Sequence, residues 1–227
     1  MRTIELFAGT RSFSSAALRL GHETFTTDYR EIDGQTLVAD ICTLSSSHFP
    51  YSPDILWASP PCEGFSVASI GANWGGGPNG YEPKSDSARN SIMLAKQAIR
   101  IVEELKPKLW FIENPRGMLR KMPFMEELLK KTGGVRKTVW YCQYGDTRAK
   151  PTDIWTNAIW WKPRPVCKNN SPTCHHQRAP RGSRNGTQGI RTYKDRSRIP
   201  DGLFVEIFEQ LDKHCAQPPL LSDTDGS

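Results

Sequence analysis

Short apolar runs that end at polar or small residues alternate with helically spaced apolar positions along the first half of the chain. The runs predict strands over residues 3–7, 24–27, 35–39, 54–58, 108–113, 137–143 and 153–161. Strands that alternate with helices build a mostly parallel twisted sheet with helices on both faces, so the pattern indicates an α/β fold. The last two runs are close enough to form an antiparallel terminal hairpin.

Three segments carry the spacing and the end signals of helices. Residues 11–20 end at Gly21, and residues 87–105 end before Pro107. Residues 203–214 place an apolar residue on one stripe about once per turn. Glycine after a helix and proline beyond it are typical stop signals, and such stripes usually face a core.

Two segments lack any periodic pattern. Residues 69–87 contain five glycines, and residues 162–200 are rich in Arg, Pro, Gly, Asn and Ser. Both predict loops, and long loops in a compact domain are often functional. We expect an α/β domain over 1–161, a short basic segment over 162–200, a helix over 201–216 that returns to the domain, and a flexible tail over 217–227.

Positive charge is concentrated in one part of the chain. The net charge is +6, but residues 148–200 alone hold 12 Lys or Arg against 2 Asp or Glu, which leaves the remainder slightly acidic. Lysines and arginines collected in this way are typical of a surface that binds a polyanion. The alternative is a solvated loop whose charge has no partner.

Composition excludes several classes. With 227 residues, 37% hydrophobic and 24% charged, the chain suits one globular domain with a small appendage. No apolar run reaches the roughly 18 residues of a membrane span, and Glu5 interrupts the place of a signal peptide. Six scattered cysteines suit a reducing compartment, so we expect a cytoplasmic protein without a membrane partner.

Polar or small residues follow the ends of several predicted strands. They are Phe7-Ala8-Gly9, Asp28, Asp40, Ser59-Pro60-Pro61-Cys62 and Glu113-Asn114-Pro115. The carboxyl ends of parallel strands line the binding crevice of an open α/β sheet, so we expect these residues to converge. The two prolines fix the backbone before Cys62 and place its thiol as a nucleophile; the alternative is a buried structural cysteine.

An ordered set of motifs resembles a known family. Leu6-Phe7-Ala8-Gly9, Pro61-Cys62 followed by Phe65-Ser66, Glu113-Asn114 and Tyr144-Gly145 are similar to the cytosine-C5 DNA methyltransferases that use S-adenosylmethionine. The resemblance covers nearly the whole chain and is closest to compact bacterial or bacteriophage members, some of which belong to restriction-modification systems. It implies a Rossmann-like methyltransferase fold acting in a bacterial cell or an infected host cell.

The resemblance assigns the reaction to a few residues. Cys62 would add to cytosine C6, which activates C5, and Glu113 would neutralise the charge that builds up at N3. C5 would then take a methyl group from the sulfonium of the cofactor, and loss of the C5 proton would release Cys62. Arg148 and Lys150 stand where the family has a glutamine and an arginine that assist the base, so they are further catalytic candidates.

The cofactor implied by the resemblance is S-adenosyl-L-methionine. Its candidate binding residues are Phe7, Ala8, Gly9, Thr10, Asp28, Tyr29, Asp40, Ile41, Ser59 and Pro60. An acidic residue after the second strand suits ribose hydroxyls, and one after the third strand meets the adenine amino group in the family. The sequence departs from the family pattern at Arg11 and Ser12, where later glycines are usual.

The substrate implied by the resemblance is duplex DNA, whose target base must be flipped into the pocket. The glycine-rich stretch after Cys62 suits a closing loop, and the candidate DNA-binding residues are Ser66, Arg89, Arg181, Arg184 and Arg191. The segment 162–200 is shorter than the family's target-recognition domain, which predicts a short or relaxed recognition sequence.

We expect the protein to be a monomer. The alternatives are a tRNA cytosine-C5 methyltransferase and a DNA-binding relative that does not catalyse.

Cysteines and histidines in the basic segment raise the question of a metal. Cys167, Cys174 and His175 are candidate zinc ligands, with His176 beside them. Their spacing is not that of a CxxC pair, and adjacent histidines rarely bind one ion together. We therefore expect no bound metal and interpret these side chains as loop residues.

Overall fold

A computed structural model describes residues 1–77, 80–168, 176–177 and 192–216. It contains nine strands in its described part: β1 Arg2–Leu6, β2 Glu23–Asp28, β3 Leu37–Val38, β4 Ile55–Ala58, β5 Trp74–Gly77, β6 Gly80–Pro83, β7 Leu109–Pro115, β8 Val135–Trp140 and β9 Pro151–Thr156. Seven of them form one sheet in the order β3-β2-β1-β4-β7-β9-β8.

The seven-stranded sheet is mostly parallel. β1 pairs in parallel with β2 and β4, β2 with β3, and β4 with β7. β9 runs antiparallel to both β7 and β8, which closes the sheet with a hairpin. The predicted fold class, including the antiparallel terminal hairpin, is therefore confirmed.

The central strands are apolar on both faces. All four residues of β4, from Ile55 to Ala58, are buried, as are Trp110, Phe111 and Ile112 of β7. Continuous apolar runs are expected of parallel strands that are covered on both sides, because no face of the strand meets water.

The longer helices cover the two faces of the sheet: α1 Ser12–Arg19, α3 Asp86–Leu105, α4 Pro123–Thr132 and α6 Asp201–Ala216. Two short helices, α2 Ile70–Asn73 and α5 Tyr193–Ser197, lie in connecting segments. One apolar core includes Ala95 and Val102 of α3 and Met125 of α4. The other joins Phe13 of α1 to Phe204 of α6. The sheet thus separates two cores.

Several elements differ from the sequence-based expectation. α2 and α5 lie inside the predicted loops 69–87 and 162–200, and the predicted strands over 137–143 and 153–161 end at Trp140 and Thr156. β5 and β6 pair as an antiparallel hairpin where a loop was expected, and the indole of Trp74 anchors that hairpin through a 2.7 Å bond to the Gly64 carbonyl. A glycine-rich strand carries no apolar alternation, so only its tertiary pairing defines it. α4 was not predicted, although Pro123 at its start and Gly133 at its end, with φ of 64°, are standard helix signals.

The basic segment is described only in part. α5 and the residues up to Pro200 are described, whereas the predicted tail 217–227 and most of 169–191 lie outside the described residues. None of the helices in the described part combines the length and the apolar character that crossing a membrane requires.

Candidate active site

A cavity of about 250 Å³ lies at the carboxyl ends of the central strands. The loops after β1, β2 and β4, the end of β7 and the residue before β9 all contribute to its walls. Its lining residues include Phe7, Ala8, Gly9, Thr10, Asp28, Tyr29, Ser59, Pro60, Cys62, Glu113 and Lys150. The sequence-predicted residues from separate strand ends therefore converge as expected.

A second cavity of about 300 Å³ adjoins the first. The two share Phe7, Asp28, Tyr29 and Pro61 among their lining residues. The second cavity adds Asp40 and Ile41, which stand after β3, so the two predicted acidic positions lie along one continuous groove.

The loop after β1 adopts an unusual backbone. Phe7 has φ of 56° and Gly9 has φ of 47°, and the Gly9 N–H donates to Asp28 Oδ2 across 3.0 Å. A left-handed conformation at an aromatic residue costs on the order of 1–3 kcal/mol and persists only where the surroundings enforce it. Phe7 lines both cavities, so this strained turn contributes to the walls of each.

Buried Glu5 supports the same loop from below. Its carboxylate oxygens accept from the N–H groups of Phe13, at 3.2 Å, and Ser14, at 2.9 Å, at the start of α1. Burial raises the pKa of Glu5 to about 7, although the bonds from Ser14 and Phe13 oppose that rise. Glu5 lines the first cavity and was not among the predicted site residues.

The groove fits S-adenosylmethionine in its donors and acceptors. Thr27 Oγ1 is buried without a hydrogen-bond partner among the described residues, and Thr27 lines the second cavity. Asp28 supplies a carboxylate where the two cavities meet. The ligand has hydroxyl and amino donors and carries no phosphate, so acidic side chains suit it better than a phosphate-binding loop would.

Side-chain hydrogen bonds hold the loop at positions 11 and 12, where the family usually has glycines. Arg11 adopts φ of 54° and donates from Nη1 to the Asp33 carbonyl across 3.0 Å. Ser12 Oγ lies 2.6 Å from Thr10 Oγ1 and accepts from the Ile199 N–H at 3.2 Å. Side-chain bonds therefore fix the loop that the family shapes with glycine.

Several contacts hold the loop that carries Cys62. The Asn114 side chain donates to the Pro60 carbonyl across 2.8 Å, and the Gly64 N–H donates to Ser91 Oγ at 3.2 Å. A Cβ on Gly64 would lie 2.5 Å from the Ser87 carbonyl oxygen, so only glycine fits there. β7 and α3 together fix the position of the nucleophile.

The charges around Cys62 act in opposite directions. Burial raises the pKa of the Cys62 thiol, and Glu113 and Glu63 add to that effect, whereas Lys150 lowers it. Burial also lowers the pKa of Lys150, against the attraction of Glu113 and Cys62. Burial thus favours the protonated thiol, and the positive charge of Lys150 favours the thiolate.

Glu113 has a buried hydrogen-bond donor. The Tyr141 O–H donates to Glu113 Oε1 across 2.7 Å, and Glu113 is only 5% exposed. Burial and the adjacent Glu113 raise the pKa of Tyr141 well above its ordinary value, so this phenol keeps its proton. Oε1 is occupied as an acceptor, which makes Oε2 the oxygen available to a substrate.

Arg148 has contacts that differ from those expected of a residue that assists the base. Its Nε donates to Asp146, its Nη1 to the carbonyls of Asp195 and Arg196, and its Nη2 to Asp146 and the Arg198 carbonyl. These contacts use all five N–H donors of a guanidinium. Arg148, 3% exposed, therefore holds segment 195–198 in place.

Lys150 keeps contact with the cavity. Its Nζ donates to the Arg196 carbonyl at 3.0 Å and lies 5.0 Å from the centre of the Tyr141 ring. Lys150 also has a positive φ of 21°. Its side chain lines the same cavity as Cys62 and Glu113.

Residues 195–199 form a strap across the cavity, and its members were not predicted as site residues. Ser197 and Ile199 line the first cavity, and Ile199 is bonded to Ser12 as described above. Their sequence context, a basic stretch rich in arginine, gave no signal for this position. The same holds for Tyr141, which lies inside a segment predicted as a strand.

The candidate DNA-binding residues are only partly described. Ser66 Oγ accepts from the Ala68 N–H at 3.3 Å, and exposed Arg89 pairs with Asp86 at 2.8 Å. Neither residue lines the two cavities described above. The remaining candidates Arg181, Arg184 and Arg191 lie outside the described residues, as do Cys174 and His175.

Comparisons with known proteins agree with this geometry. The family model described as C-5 cytosine-specific DNA methylase matches residues 1–131. The protein named Probable DNA (cytosine-5)-methyltransferase of Frog virus 3 is 28% identical over 222 residues, which cover 92% of this chain and 99% of that protein. Type II methyltransferase M.CviJI of Paramecium bursaria Chlorella virus IL3A is 28% identical over 158 residues, 65% of this chain and 38% of its own.

A solved structure shares the fold. A prophage-encoded DNA modification methyltransferase of E. coli superposes with a TM-score of 0.53 at 15% identity. The match covers 74% of this chain and 52% of that one, so the chain spans about half the length of that protein.

Proposed function

Since this chain belongs to the C-5 cytosine-specific DNA methylase family, its reaction is methyl transfer from S-adenosylmethionine to cytosine C5, and we propose that Cys62, Glu113 and Lys150 carry it out on duplex DNA. One observation supports the assignment above the others. These three side chains line one cavity together with the loop Phe7 to Thr10, so nucleophile, acid and cofactor wall share a single space.

The groove along Phe7 would hold the cofactor. Asp28 suits the ribose hydroxyls, while Asp40 and Thr27 suit the adenine end. When bound there, S-adenosylmethionine supplies an electrophilic methyl group on its sulfonium. Gly9 and Ser59 line the same cavity as Cys62, so a cofactor held there would lie close to a base that reaches Cys62.

Cys62 acts first. Its Sγ, as a thiolate, adds to C6 of the cytosine ring, and the ring electrons shift so that C5 becomes nucleophilic. Because burial raises the pKa of Cys62, the reactive form depends on the positive charge of Lys150. Lys150 therefore stabilises the thiolate before addition, and its ammonium remains beside the ring afterwards.

Glu113 neutralises the ring as Cys62 adds. The addition places negative charge on N3, and a proton held on Glu113 Oε2 can pass to N3 while Tyr141 fixes Oε1. After C5 is methylated, a water molecule takes the C5 proton, elimination of the Cys62 sulfur restores the aromatic ring, and N3 returns its proton to Glu113. Cys62 and Glu113 return to their starting states.

The substrate is proposed as duplex DNA with a flipped cytosine. A base inside a duplex cannot present C6 to a thiol in the wall of a cavity, so the base must leave the stack. The hairpin of β5 and β6 follows the Cys62 loop in the chain and is anchored to Gly64, which suits a closing element. The excess of basic residues in 148–200 suits contacts with DNA phosphates. Because the segment is short, it offers few side chains to base edges, which suits a short recognition sequence. We place the reaction in the cytoplasm.

The experiment incubates the protein with cofactor labelled on its methyl group and with duplex DNA. Digestion to nucleosides should yield label in 5-methylcytosine, and Cys62→Ser should abolish it. Parallel reactions with tRNA separate the two nucleic acids. Label in tRNA alone would replace DNA as the substrate, and no label in any cytosine would overturn the proposal.

A further inference from the structure

Two cysteines and a histidine lie close together beside the helical turn that contains Tyr141. The Sγ atoms of Cys142 and Cys167 and a ring nitrogen of His176 all lie within 4.8 Å of one another. Cys167 Sγ is 3.5 Å from His176 Nδ1. Cys167 is buried and the other two are half-buried, so the cluster is partly removed from water.

Contacts outside the cluster hold its members together. The Arg164 N–H donates to the Tyr144 hydroxyl across 2.9 Å and its Nη1 to the Gln143 carbonyl across 2.7 Å. These bonds fasten the chain that leads to Cys167 onto the helical turn that contains Cys142. The Gln177 N–H donates to the Thr147 carbonyl across 2.8 Å, which fixes the residue after His176.

We propose that Cys142, Cys167 and His176 bind a zinc ion. Two thiolates and an imidazole match the ligand preference of zinc, whereas calcium and magnesium prefer oxygen. Around a tetrahedral ion with normal bond lengths, neighbouring ligand atoms stand about 3.5–3.8 Å apart. The 3.5 Å between Cys167 Sγ and His176 Nδ1 already has that value. The other ligand atoms lie within 4.8 Å, so their separations need to shorten by about 1 Å at most.

This site differs from the one considered from sequence. Cys167 is shared, but Cys142 comes from the catalytic domain, 25 positions earlier in the chain, and His176 replaces His175. Cys174 lies outside the described residues. Sequence spacing could not reveal the cluster, because Cys142 follows β8 and only the fold brings it to the basic segment.

The ion would join the two parts of the molecule. Cys142 directly follows Tyr141, which bonds Glu113, while Cys167 and His176 belong to the basic segment. A bound zinc therefore fixes this segment to the back of the active site without entering the cavity. The proposal does not depend on the proposed reaction, because metal content is measured without substrate.

The test uses the full-length chain purified without a histidine tag. Elemental analysis should find about one zinc per chain, and Cys142→Ser and Cys167→Ser should lose most of it. The exposed cysteines Cys42 and Cys215 provide matched controls, because their serine variants should keep the metal. Zinc retained by both cluster variants would overturn the site.

A second measurement covers variants that fail to fold. The wild-type protein, stripped of metal and titrated with Co²⁺, should develop the visible bands of a tetrahedral ion together with thiolate charge-transfer absorption. His176→Gln should weaken Co²⁺ binding while circular dichroism stays unchanged. A spectrum without thiolate bands, or zinc far below one per chain after supplementation, would refute the proposal.

Discussion

The Tyr141 hydroxyl donates a 2.7 Å hydrogen bond to Glu113 Oε1, and both side chains are buried between the end of β7 and the turn after β8. The bond fixes one oxygen of the proposed acid and leaves the other for the base. The two residues are 28 positions apart in the sequence. The antiparallel hairpin of β8 and β9, which pairs with β7, brings them together.

Replacing Tyr141 should impair turnover more than binding. Tyr141→Phe removes the hydrogen bond that stabilises the Glu113 carboxylate formed when its proton passes to N3, and a bond to such a charged group contributes about 1.5–3 kcal/mol. We expect kcat to fall roughly tenfold to a hundredfold with KM for the cofactor unchanged, measured by steady-state methyl transfer. Tyr144→Phe is the matched control, because its hydroxyl bonds Glu206 away from the cavity. Equal kcat values for the two variants would contradict the role of Tyr141.

The reactivity of Cys62 should depend on pH and on Lys150. Burial raises the pKa of Cys62 above its ordinary value of 9.0, and Lys150 lowers it. Alkylation of Cys62 by iodoacetamide should therefore still accelerate above pH 9, and Lys150→Met should shift that rise to higher pH. Mass spectrometry of the Cys62 peptide gives the rate, and exposed Cys215 reports on the reagent in the same digest. A shift to lower pH in Lys150→Met would disprove this electrostatic account.

Buried Glu5 should make stability depend on pH. Its pKa of about 7 in the folded protein lies above the ordinary 4.5, so the folded state binds its proton more tightly than the unfolded state does. The resulting stabilisation is complete below pH 4.5 and is lost as the pH rises through 7. Between pH 5 and 8 the wild type should lose up to about 3 kcal/mol relative to Glu5→Gln. Urea unfolding of both proteins measures this difference, and parallel pH profiles would contradict it.

Arg148 should matter through the strap over the cavity. Arg148→Lys cannot reproduce five donors, so we expect a loss of about 2 kcal/mol of stability and a roughly tenfold higher KM for the cofactor, because Ser197 and Ile199 line its cavity. Arg120→Lys is the control, since Arg120 makes a bidentate pair with buried Asp153 away from the cavity. It should lose stability and keep its KM. An unchanged KM in Arg148→Lys would remove the strap from cofactor binding.

The sheet could be predicted because its strands are continuous apolar runs. The strands Ile55 to Ala58 and Leu109 to Ile112 can be recognised from the sequence alone. The polar residues at their carboxyl ends fall on the same edge of any parallel sheet. The residues Phe7, Asp28, Cys62 and Glu113 therefore followed from strand positions and motif order alone.

The remaining parts depend on contacts that sequence spacing does not encode. Arg148 stands in a motif position, but the carbonyls it binds belong to residues nearly 50 positions later. The sequence predicts Tyr141 as a strand residue. Its role becomes visible only in the fold, because β9 pairs with both β7 and β8 and so brings Tyr141 to Glu113. The hairpin of β5 and β6 is held by the bond from the Trp74 indole to the Gly64 carbonyl, and its glycines carry no apolar alternation, so the sequence suggested only a loop.

The most direct test of the central claim uses a duplex with 5-fluorocytosine as the target base. After Cys62 adds to C6 and C5 is methylated, fluorine leaves no proton to remove, so elimination cannot release the enzyme. Intact mass spectrometry should detect a cofactor-dependent covalent complex of protein, oligonucleotide and one methyl group, with Cys62 as the attached residue and no complex for Cys62→Ser. Methylation of unsubstituted DNA without such a complex, or attachment through another cysteine, would contradict the assignment of Cys62 as the nucleophile.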